Sequence, residues 1–267
     1  MFDFSELTGY FDHHSAGGEA VPPESCQQES HAEREILLVL EGTMNFYLAG
    51  KRFAATPGRA FFMDGWVPHQ LGYSRITDQV VHIWVHLHKN RLFAMSYILV
   101  RGSRLHSSDM WEFPDSMLEL INIYWDRARR SSGALRDTLY GAITRMITGE
   151  ISFQESGAES TAGREDDIIS WVKNYISMNY GRNSSMAELE RLTGFNRRHL
   201  MRKFKSETAM TIGEYINCVR RGFAAAAGKR LTQKEIAFQL GFKSPAAFWL
   251  WQKRDREKFS GSEPSGG

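Results

Sequence analysis

The chain has 267 residues, of which 42% are hydrophobic and 12% aromatic, so it is long enough to fold into two domains with buried cores. It contains no run of about 18 apolar residues, and Asp3 and Glu6 precede the first apolar stretch, which argues against membrane insertion and secretion. Its two cysteines, Cys26 and Cys218, lie far apart without a CxxC spacing, as expected in a reducing compartment. We therefore expect a cytoplasmic protein with no membrane partner.

The net charge of +2 conceals an uneven distribution of charge along the chain. Residues 166–267 contain 18 lysines and arginines against 10 acids, whereas residues 1–165 contain 15 against 21. A basic half is typical of nucleic-acid binding, and an acidic half moderates the non-specific attraction. The charge pattern therefore favours DNA as a partner of the C-terminal half.

The N-terminal third predicts an arm followed by a β domain. Glycine and proline pairs interrupt residues 1 to 30, which are predicted to lie as an irregular arm over the next domain. From Ile36 the sequence contains short β-type segments, with a hairpin near Ala49 and Gly50: ILLVLEG, TMNFYLAGKRFAA, RAFFMD and QVVHIWVHL. Short, regularly spaced strands of this kind predict a small antiparallel β-barrel.

The last of these segments, residues 80 to 88, has an alternating pattern. His82, Trp84 and His86 share one face, and aliphatic residues occupy the other. If the polar face points into the barrel, the imidazoles and the indole predict an effector pocket for a polar, ring-bearing or sugar-like molecule. Arg34 would add an anion-binding group to it. The alternative is a solvated outer face, which is normal for antiparallel sheets.

After Asn90 the pattern turns helical. Residues from Trp111 to Arg130 and from Gly133 to Glu155 carry apolar side chains at helical spacing. The two predicted helices either form a dimer interface or cover one face of the barrel within the chain. The small, polar stretch from Ser156 to Gly163 predicts a flexible linker, with a domain boundary near residue 164.

The stretch from Met186 to Lys205, MAELERLTGFNRRHLMRKFK, joins a short amphipathic helix to a basic one. Leu189 would face a core, Gly194 can adopt the left-handed conformation of a tight turn, and Asn196 can cap the second helix. This arrangement is the outline of a helix-turn-helix.

The second helix of this stretch predicts a cationic face. Leu200 and Phe204 are four residues apart and point inward, which leaves the other side of the helix to contact DNA. The predicted contact residues are Asn196, Arg197, Arg198, Met201, Arg202, Lys203 and Lys205. Cations without acidic neighbours suit phosphates, and arginine can also bind guanine edges. The alternative is a solvated helix face.

A second copy of the pattern argues against that alternative. Glu188, Leu189 and Gly194 recur 47 residues later as Glu235, Ile236 and Gly241. Around the second copy, Thr232 can cap a helix over residues 233–240, and Pro245 suits the first turn of a recognition helix that runs to about residue 254. The predicted DNA contacts of the second copy are Lys243, Ser244, Ala246 and Lys253.

Together these motifs resemble the C-terminal domain of AraC/XylS-type transcriptional regulators over residues 166 to 259. The chain has TIGEYINCVRR where the family has SPGEYLNRLR, and EIAFQLGFKSPAAF where it has EIAxxVGFSSPSYF. Leu250 and Gln252 depart from the family pattern, which has Arg and Phe there. We therefore hypothesise that the first helix-turn-helix dominates DNA binding.

The N-terminal half resembles the cupin-like sensor domain of the same family. Glu35, followed seven residues later by Gly42, resembles the first cupin motif, and Pro57-Gly58 followed by Val67-Pro68-His69 resembles the second. The resemblance implies an α+β multidomain fold with a cupin-like, antiparallel β-barrel over residues 1–110. A helical dimerisation segment and linker over residues 111–163 and an all-α double helix-turn-helix domain over residues 164–260 would follow.

Cupin enzymes hold a metal through an HxH pair, a following Glu and a His of the second motif. The equivalents here are Glu29, His31, Glu35 and His69, so the first histidine is replaced by glutamate. His31, Glu35 and His69 remain as candidate ligands of a divalent transition metal. The alternative is that they only form hydrogen bonds at the barrel mouth, and we expect no cofactor to be required.

The resemblance implies a bacterial, sequence-specific DNA-binding transcription regulator without catalytic residues. Its expected partners are double-stranded DNA, a small-molecule effector, a second copy of the chain and, if it is an activator, RNA polymerase. The rival reading is a metal-dependent cupin enzyme, of dioxygenase or isomerase type, with a basic helical appendage.

Overall fold

The computed structural model describes residues 2–21, 28–72, 79–88, 90–101, 106–157 and 168–260. The chain divides into two compact units, residues 1–161 and 162–267. The predicted boundary near residue 164 and most of the predicted linker lie outside the described residues. The start of the linker is corrected, because Ser156 still belongs to a helix that runs to Gly157.

The described part of the N-terminal unit contains ten strands and two helices. The strands are β1 (Gly9–Asp12), β2 (Glu19–Ala20), β3 (Arg34–Glu41), β4 (Met44–Leu48), β5 (Lys51–Ala55), β6 (Arg59–Met63), β7 (His69–Gly72), β8 (Gln79–His88), β9 (Arg91–Val100) and β10 (His106–Phe113). The helices are α1 (Asp115–Arg129) and α2 (Gly133–Gly157).

These strands form two sheets, and the prediction of a closed antiparallel barrel is wrong. Within the described residues the sheet orders are β1-β6-β3-β8-β9-β10 and β2-β5-β4-β7, and β1 pairs with β6 in parallel. The larger sheet is apolar on both faces, because its strands carry adjacent rather than alternating apolar residues. It therefore packs against a separate layer on each side.

The inner face of the six-stranded sheet packs against the four-stranded sheet, with Leu37 and Phe61 meeting Phe46 and Phe53. The outer face packs against α1 and α2 through residues such as Ile83, Val85, Trp125, Tyr140 and Ile143. Helices α1 and α2 therefore cover this sheet within the chain, as one of the two sequence interpretations expected.

The helical pattern predicted after Asn90 is wrong as far as residue 113. Residues 91–100 and 106–113 form β9 and β10, and Trp111 lies in β10 rather than at the start of a helix. β9 is buried on both faces, so its sequence RLFAMSYILV lacks the alternation that marks a half-exposed strand. Pro114 then ends the strand and occupies the N-cap position of α1, without a capping hydrogen bond from its side chain.

The described part of the C-terminal unit is entirely helical. Its six helices are α3 (Ile168–Met178), α4 (Met186–Thr193), α5 (Arg197–Thr208), α6 (Ile212–Ala227), α7 (Gln233–Gln239) and α8 (Pro245–Ser260). Helix α8 runs beyond the predicted end near residue 254. None of the helices in the described chain combines the length and apolar content that a bilayer-spanning segment needs.

Local chemistry sets the ends of these helices. Asn196 caps α5 by accepting a hydrogen bond from the backbone N–H of His199, and Thr232 caps α7 in a capping box with Glu235. Gly194 and Gly241 have φ angles of 73° and 76°, which favour glycine. Two pairs of helices, α4 with α5 and α7 with α8, are therefore each joined by a short turn at a left-handed glycine.

Candidate functional site

A buried carboxylate with three imidazoles around it lies at one end of the six-stranded sheet. Glu35 on β3 faces His86 on β8, since the two residues are direct partners in the strand register. Glu35 Oε1 lies 2.8 Å from His86 Nδ1, and Oε2 lies 3.0 Å from His69 Nε2 and 3.2 Å from His31 Nε2. All four side chains are nearly fully buried.

Backbone contacts fix two of these imidazoles. His69 Nδ1 lies 2.8 Å from the carbonyl of Val67, so that Nε2 points at Glu35. The segment that carries His31 is held to the start of β7 by paired backbone hydrogen bonds between Glu29 and His69. Gly65 allows the chain to approach closely there, because a Cβ atom at this position would lie 2.3 Å from the carbonyl oxygen of Ala32.

The cluster is strongly polarised. Burial is the largest single influence on His31 and disfavours its charge, but the carboxylates of Glu35, Glu33 and Glu29 outweigh it and raise the pKa of His31 to about 9. Burial also opposes ionisation of Glu35, but His31 and His86 outweigh it and hold the pKa of Glu35 well below its usual value. His31 and Glu35 therefore form a buried ion pair.

Three members of the cluster fit a metal ion. His31, Glu35 and His69 each offer a ligand atom, and these atoms all lie within 4.8 Å of one another. Two imidazoles and a carboxylate are a ligand set that suits zinc or iron. Glu29 occupies the position of the first histidine of the HxH pair, and its backbone pairs with that of His69. Metal binding would displace the proton of the His31 pair, as is general for imidazole ligands.

The four residues predicted to bind an effector do not lie together. His82, Trp84 and His86 lie on the same face of β8, toward the second sheet, so the alternative of a solvated outer face is wrong. His82 is fully buried and stacks on Tyr97, with ring centroids 5.5 Å apart, and burial lowers its pKa to about 3. Trp84 is half-buried against the inner core.

Arg34 lies on the opposite face of the sheet from Glu35, toward α1. Its Nε donates to Asp64 at 3.2 Å, one NH group donates to Asn122 at 2.7 Å, and another bonds to Asp126. Its guanidinium lies 5.4 Å from the ring centroid of Trp125. The placement of Arg34 beside the imidazoles is therefore corrected, because adjacent residues on a strand point to opposite faces.

No sequence motif links His86 with Glu35. His86 was grouped with its neighbours on β8, whereas the contact with Glu35 depends on the pairing of β3 with β8. The Nε2 atom of His86 is buried and makes no hydrogen bond within the described residues, and the ring stacks on Phe93 with centroids 5.0 Å apart. His86 therefore belongs to the candidate metal site as a contact of Glu35 rather than as a fourth ligand.

The turn between α4 and α5 is closed by a side chain. The backbone N–H of Arg197 donates to Glu190 Oε1 at 2.5 Å, so the carboxylate of Glu190 lies at the N-terminus of α5. Leu189, Leu200 and Phe204 are buried. Glu190 thus ties the two helices together.

The exposed side of α5 carries most of the predicted DNA contacts. Asn196, Arg197, Arg198, Met201, Arg202 and Lys205 are all exposed. Within the described residues Arg198, Arg202 and Lys205 have no carboxylate partner at ion-pair distance. Lys203 differs, since its Nζ pairs with Glu207 Oε1 at 3.0 Å. A row of cations without counter-charges therefore faces solvent.

The exposed side of α8 is chemically different. Lys243, Ser244, Ala246 and Lys253 are exposed, as are the large apolar side chains of Trp249 and Leu250. Lys253 Nζ lies 5.8 Å from the ring centroid of Trp249. Two ties to α6 hold the helix: Trp251 Nε1 donates to Asn217 at 2.9 Å, and Arg221 binds both carboxylate oxygens of Asp255 at 2.8 and 3.0 Å.

Comparison with known families bears on the N-terminal unit. The family model described as Cupin domain matches residues 19–91, a range that contains His31, Glu35, His69 and His86. The chain contains a cupin-like domain. No curated protein matches the sequence. The match to the family model ends at residue 91 and therefore does not include any residue of the helical C-terminal unit.

Proposed function

We propose that the protein is a sequence-specific, DNA-binding transcription regulator of the AraC/XylS type whose cupin-like domain responds to a small-molecule effector. The observation that carries this proposal is the exposed row of cations on α5. Arg198, Arg202 and Lys205 lie on one side of a capped helix that is joined to α4 by a three-residue turn. A helix held in this way can enter the major groove.

The electrostatics of α5 support a polyanionic partner. Exposed like charges on one helix face repel each other, and DNA phosphates supply the counter-charge that the described chain does not. Arginine adds bidentate recognition of guanine, so Arg198 and Arg202 are the proposed base contacts. Lys205 and Lys253 are proposed to bind phosphates, as is Lys203 once it leaves Glu207.

The second helix pair supports the same proposal. Helices α7 and α8 repeat the left-handed glycine turn and the capped first helix of the first pair. Two recognition helices on one chain would contact two groove segments and so lengthen the DNA sequence that is recognised. A homodimer would double the length of the recognised DNA sequence. If the protein is an activator, it would also contact RNA polymerase.

In this proposal the cupin-like domain acts by population shift. An effector that binds better to one arrangement of the chain than to another changes the fraction of molecules able to bind DNA. The cluster of Glu35, His31, His69 and His86, with Trp84 beside it, is the proposed effector site. A polar ligand, or a metal ion with a ligand, would suit its buried imidazoles and carboxylate.

The test is the salt dependence of binding to DNA fragments from the neighbourhood of its own gene. Wild-type binding should weaken steeply with salt, and Arg202→Ala is expected to weaken binding by about tenfold or more and to relax the base preference at one position of the site. Arg127→Ala, which removes an exposed helical arginine from the N-terminal unit, is the matched control and should leave both unchanged. Equal effects of the two substitutions would contradict the proposal.

A metal-dependent cupin enzyme is the second candidate, and the specific observation behind it is the buried triad of His31, Glu35 and His69. These residues would hold a divalent transition metal, which would supply Lewis-acid or redox chemistry when bound. In this candidate His86 positions Glu35 by donating a hydrogen bond from Nδ1 to Oε1, which leaves Oε2 toward the other two imidazoles.

Metal analysis of the purified protein tests this candidate. A stoichiometric metal that is lost in His69→Ala would favour it, and a protein that takes up no zinc or iron would contradict it. His86→Asn places an amide nitrogen near the Nδ1 position and should retain metal, whereas His86→Gln places it near Nε2 and should weaken metal binding by about 10-fold or more. Equal affinities of these two variants would exclude the positioning role of His86.

A further inference from the structure

The two recognition helices present different chemistry at equivalent positions. Leu200 of α5 and Phe248 of α8 are both fully buried, and each follows its glycine turn as the first core residue of its helix. Aligned on these two residues, the helices place the following pairs at the same positions: Arg198 and Ala246, Met201 and Trp249, Arg202 and Leu250, and Lys205 and Lys253. The lysine is kept at the last of these positions, and Ala246 and Leu250 of α8 take the places of Arg198 and Arg202 of α5.

The apolar residues of α8 are exposed to solvent. Trp249 and Leu250 are 54% and 46% exposed, and Ala246, one helical turn before Leu250, is exposed as well. Within the described part of the C-terminal unit, the large hydrophobic side chains that are exposed are those of Trp249, Leu250 and Met201 of α5. The large exposed hydrophobic side chains in the described part of this unit thus lie on the faces of the two proposed recognition helices.

The charges around this apolar patch favour DNA as its partner. Lys243 precedes it, and Lys253 and Arg254 follow it, all exposed. A cationic border suits a surface lined with phosphates, and the apolar centre needs an apolar group on that surface. In the major groove of DNA this group is the C5-methyl of thymine, which apolar side chains contact.

We propose that α8 recognises thymine methyl groups through Ala246 and Leu250, with Trp249 beside them, while α5 recognises guanine through Arg198 and Arg202. This inference rests on the proposed function and deepens it. It predicts an asymmetric site with a guanine-containing half contacted by α5 and a thymine-containing half contacted by α8. The second helix then contributes sequence preference as well as phosphate contacts.

Replacing thymine by uracil removes only the methyl group and tests the proposal directly. A binding site is first selected from random DNA. The half-site contacted by α8 is identified as the half whose base preference changes in Leu250→Ala. Each thymine of that half is then replaced by uracil. Wild-type protein should lose about fourfold in affinity for each contacted methyl, from the free energy of burying one such group. At the thymine that Leu250 contacts, Leu250→Ala should bind the thymine and uracil sites equally, because protein and DNA changes that remove one contact are not additive; at a thymine contacted by Ala246 the uracil effect should persist.

Two controls separate the outcomes. Uracil substitution in the half that depends on Arg202 should have little effect, and Leu250→Arg should shift the preferred base at its position from thymine to guanine. If wild-type protein binds a specific site but is indifferent to uracil throughout, α8 does not read methyl groups and this inference alone is overturned; the patch would then be assigned to a protein partner. If no specific site is selected, the proposed function fails with it.

Discussion

Helices α5 and α8 follow the same kind of turn and differ in what they expose. Gly194 and Gly241 have nearly equal φ angles, and a buried core residue follows each glycine, Leu200 in α5 and Phe248 in α8. Helix α5 exposes arginines at its centre, whereas α8 exposes alanine, leucine and tryptophan. The residues that build the turn and the core are separate from those that each helix exposes to solvent. One local architecture can therefore present two exposed surfaces of different chemistry.

The largest expected effect separates the core side of α8 from its exposed side. Phe248→Ala removes a fully buried ring that packs on Phe242 and Trp251, and should lower the free energy of unfolding by about 3–5 kcal/mol. Leu200→Ala, the equivalent change in α5, should cost about 2–5 kcal/mol. Urea unfolding of the full chain, followed by circular dichroism, measures both.

Leu250→Ala on the same helix is the matched control. Leu250 is 46% exposed, so its loss should change the free energy of unfolding by less than about 0.5 kcal/mol while changing DNA recognition. A cost for Leu250→Ala that approached the cost for Phe248→Ala would mean that Leu250 packs in a core. The contrast between the two helix faces would then be wrong.

A smaller effect is expected from the tie that holds α8 to α6. Asp255→Ala leaves Arg221 without its bidentate partner and should cost about 2 kcal/mol, less than for a fully buried pair because the Arg221 side chain is 35% exposed. A double-mutant cycle with Arg221→Ala isolates the pair. A coupling energy near zero would show that the pair adds nothing to the Trp251–Asn217 hydrogen bond and the apolar contacts that hold α8.

The smallest effect is expected from the cap of α7. Thr232→Ala removes the cap of α7 and should cost about 1 kcal/mol, measured as a fall of several degrees in Tm, whereas Thr232→Ser should retain the cap.

Hydrogen bonds from the backbone and side chain of Thr232 lower the pKa of Glu235 below 4.5. Glu235 therefore contributes stability above that pH and loses it as the pH falls through its lowered pKa. An unchanged pKa of Glu235 in Thr232→Ala, measured by NMR, would contradict this reading of the cap.

The elements of the C-terminal unit were predictable because their signals are local. A capping side chain, a glycine with positive φ and an apolar residue every three to four positions act within one turn, so the positions of Asn196, Gly194 and Thr232 could be assigned from the sequence. The extent of α8 was not, since its last turns carry no stop signal before Ser260.

The N-terminal unit was less predictable because its decisive contacts are distant in sequence. The grouping of His31, Glu35 and His69 followed from motif spacing, and the structure brings their ligand atoms together. The contact of His86 with Glu35, two residues 51 positions apart, depends on the register of β3 and β8. Arg34 was misplaced because a shift of one residue along a strand changes the face to which the side chain points. Sheet closure was also misjudged, since strand pattern alone does not distinguish a barrel from two packed sheets.

Selection of binding sites from random double-stranded DNA by the full-length protein tests the central claim most directly. Two recognition helices that enter successive major-groove segments predict a bipartite motif whose halves lie about 10–10.5 base pairs apart. One half should lose its base preference in Arg202→Ala and the other in Leu250→Ala. Absence of any enriched motif, with weak binding that depends only on salt, would contradict the claim and direct attention to metal chemistry at Glu35.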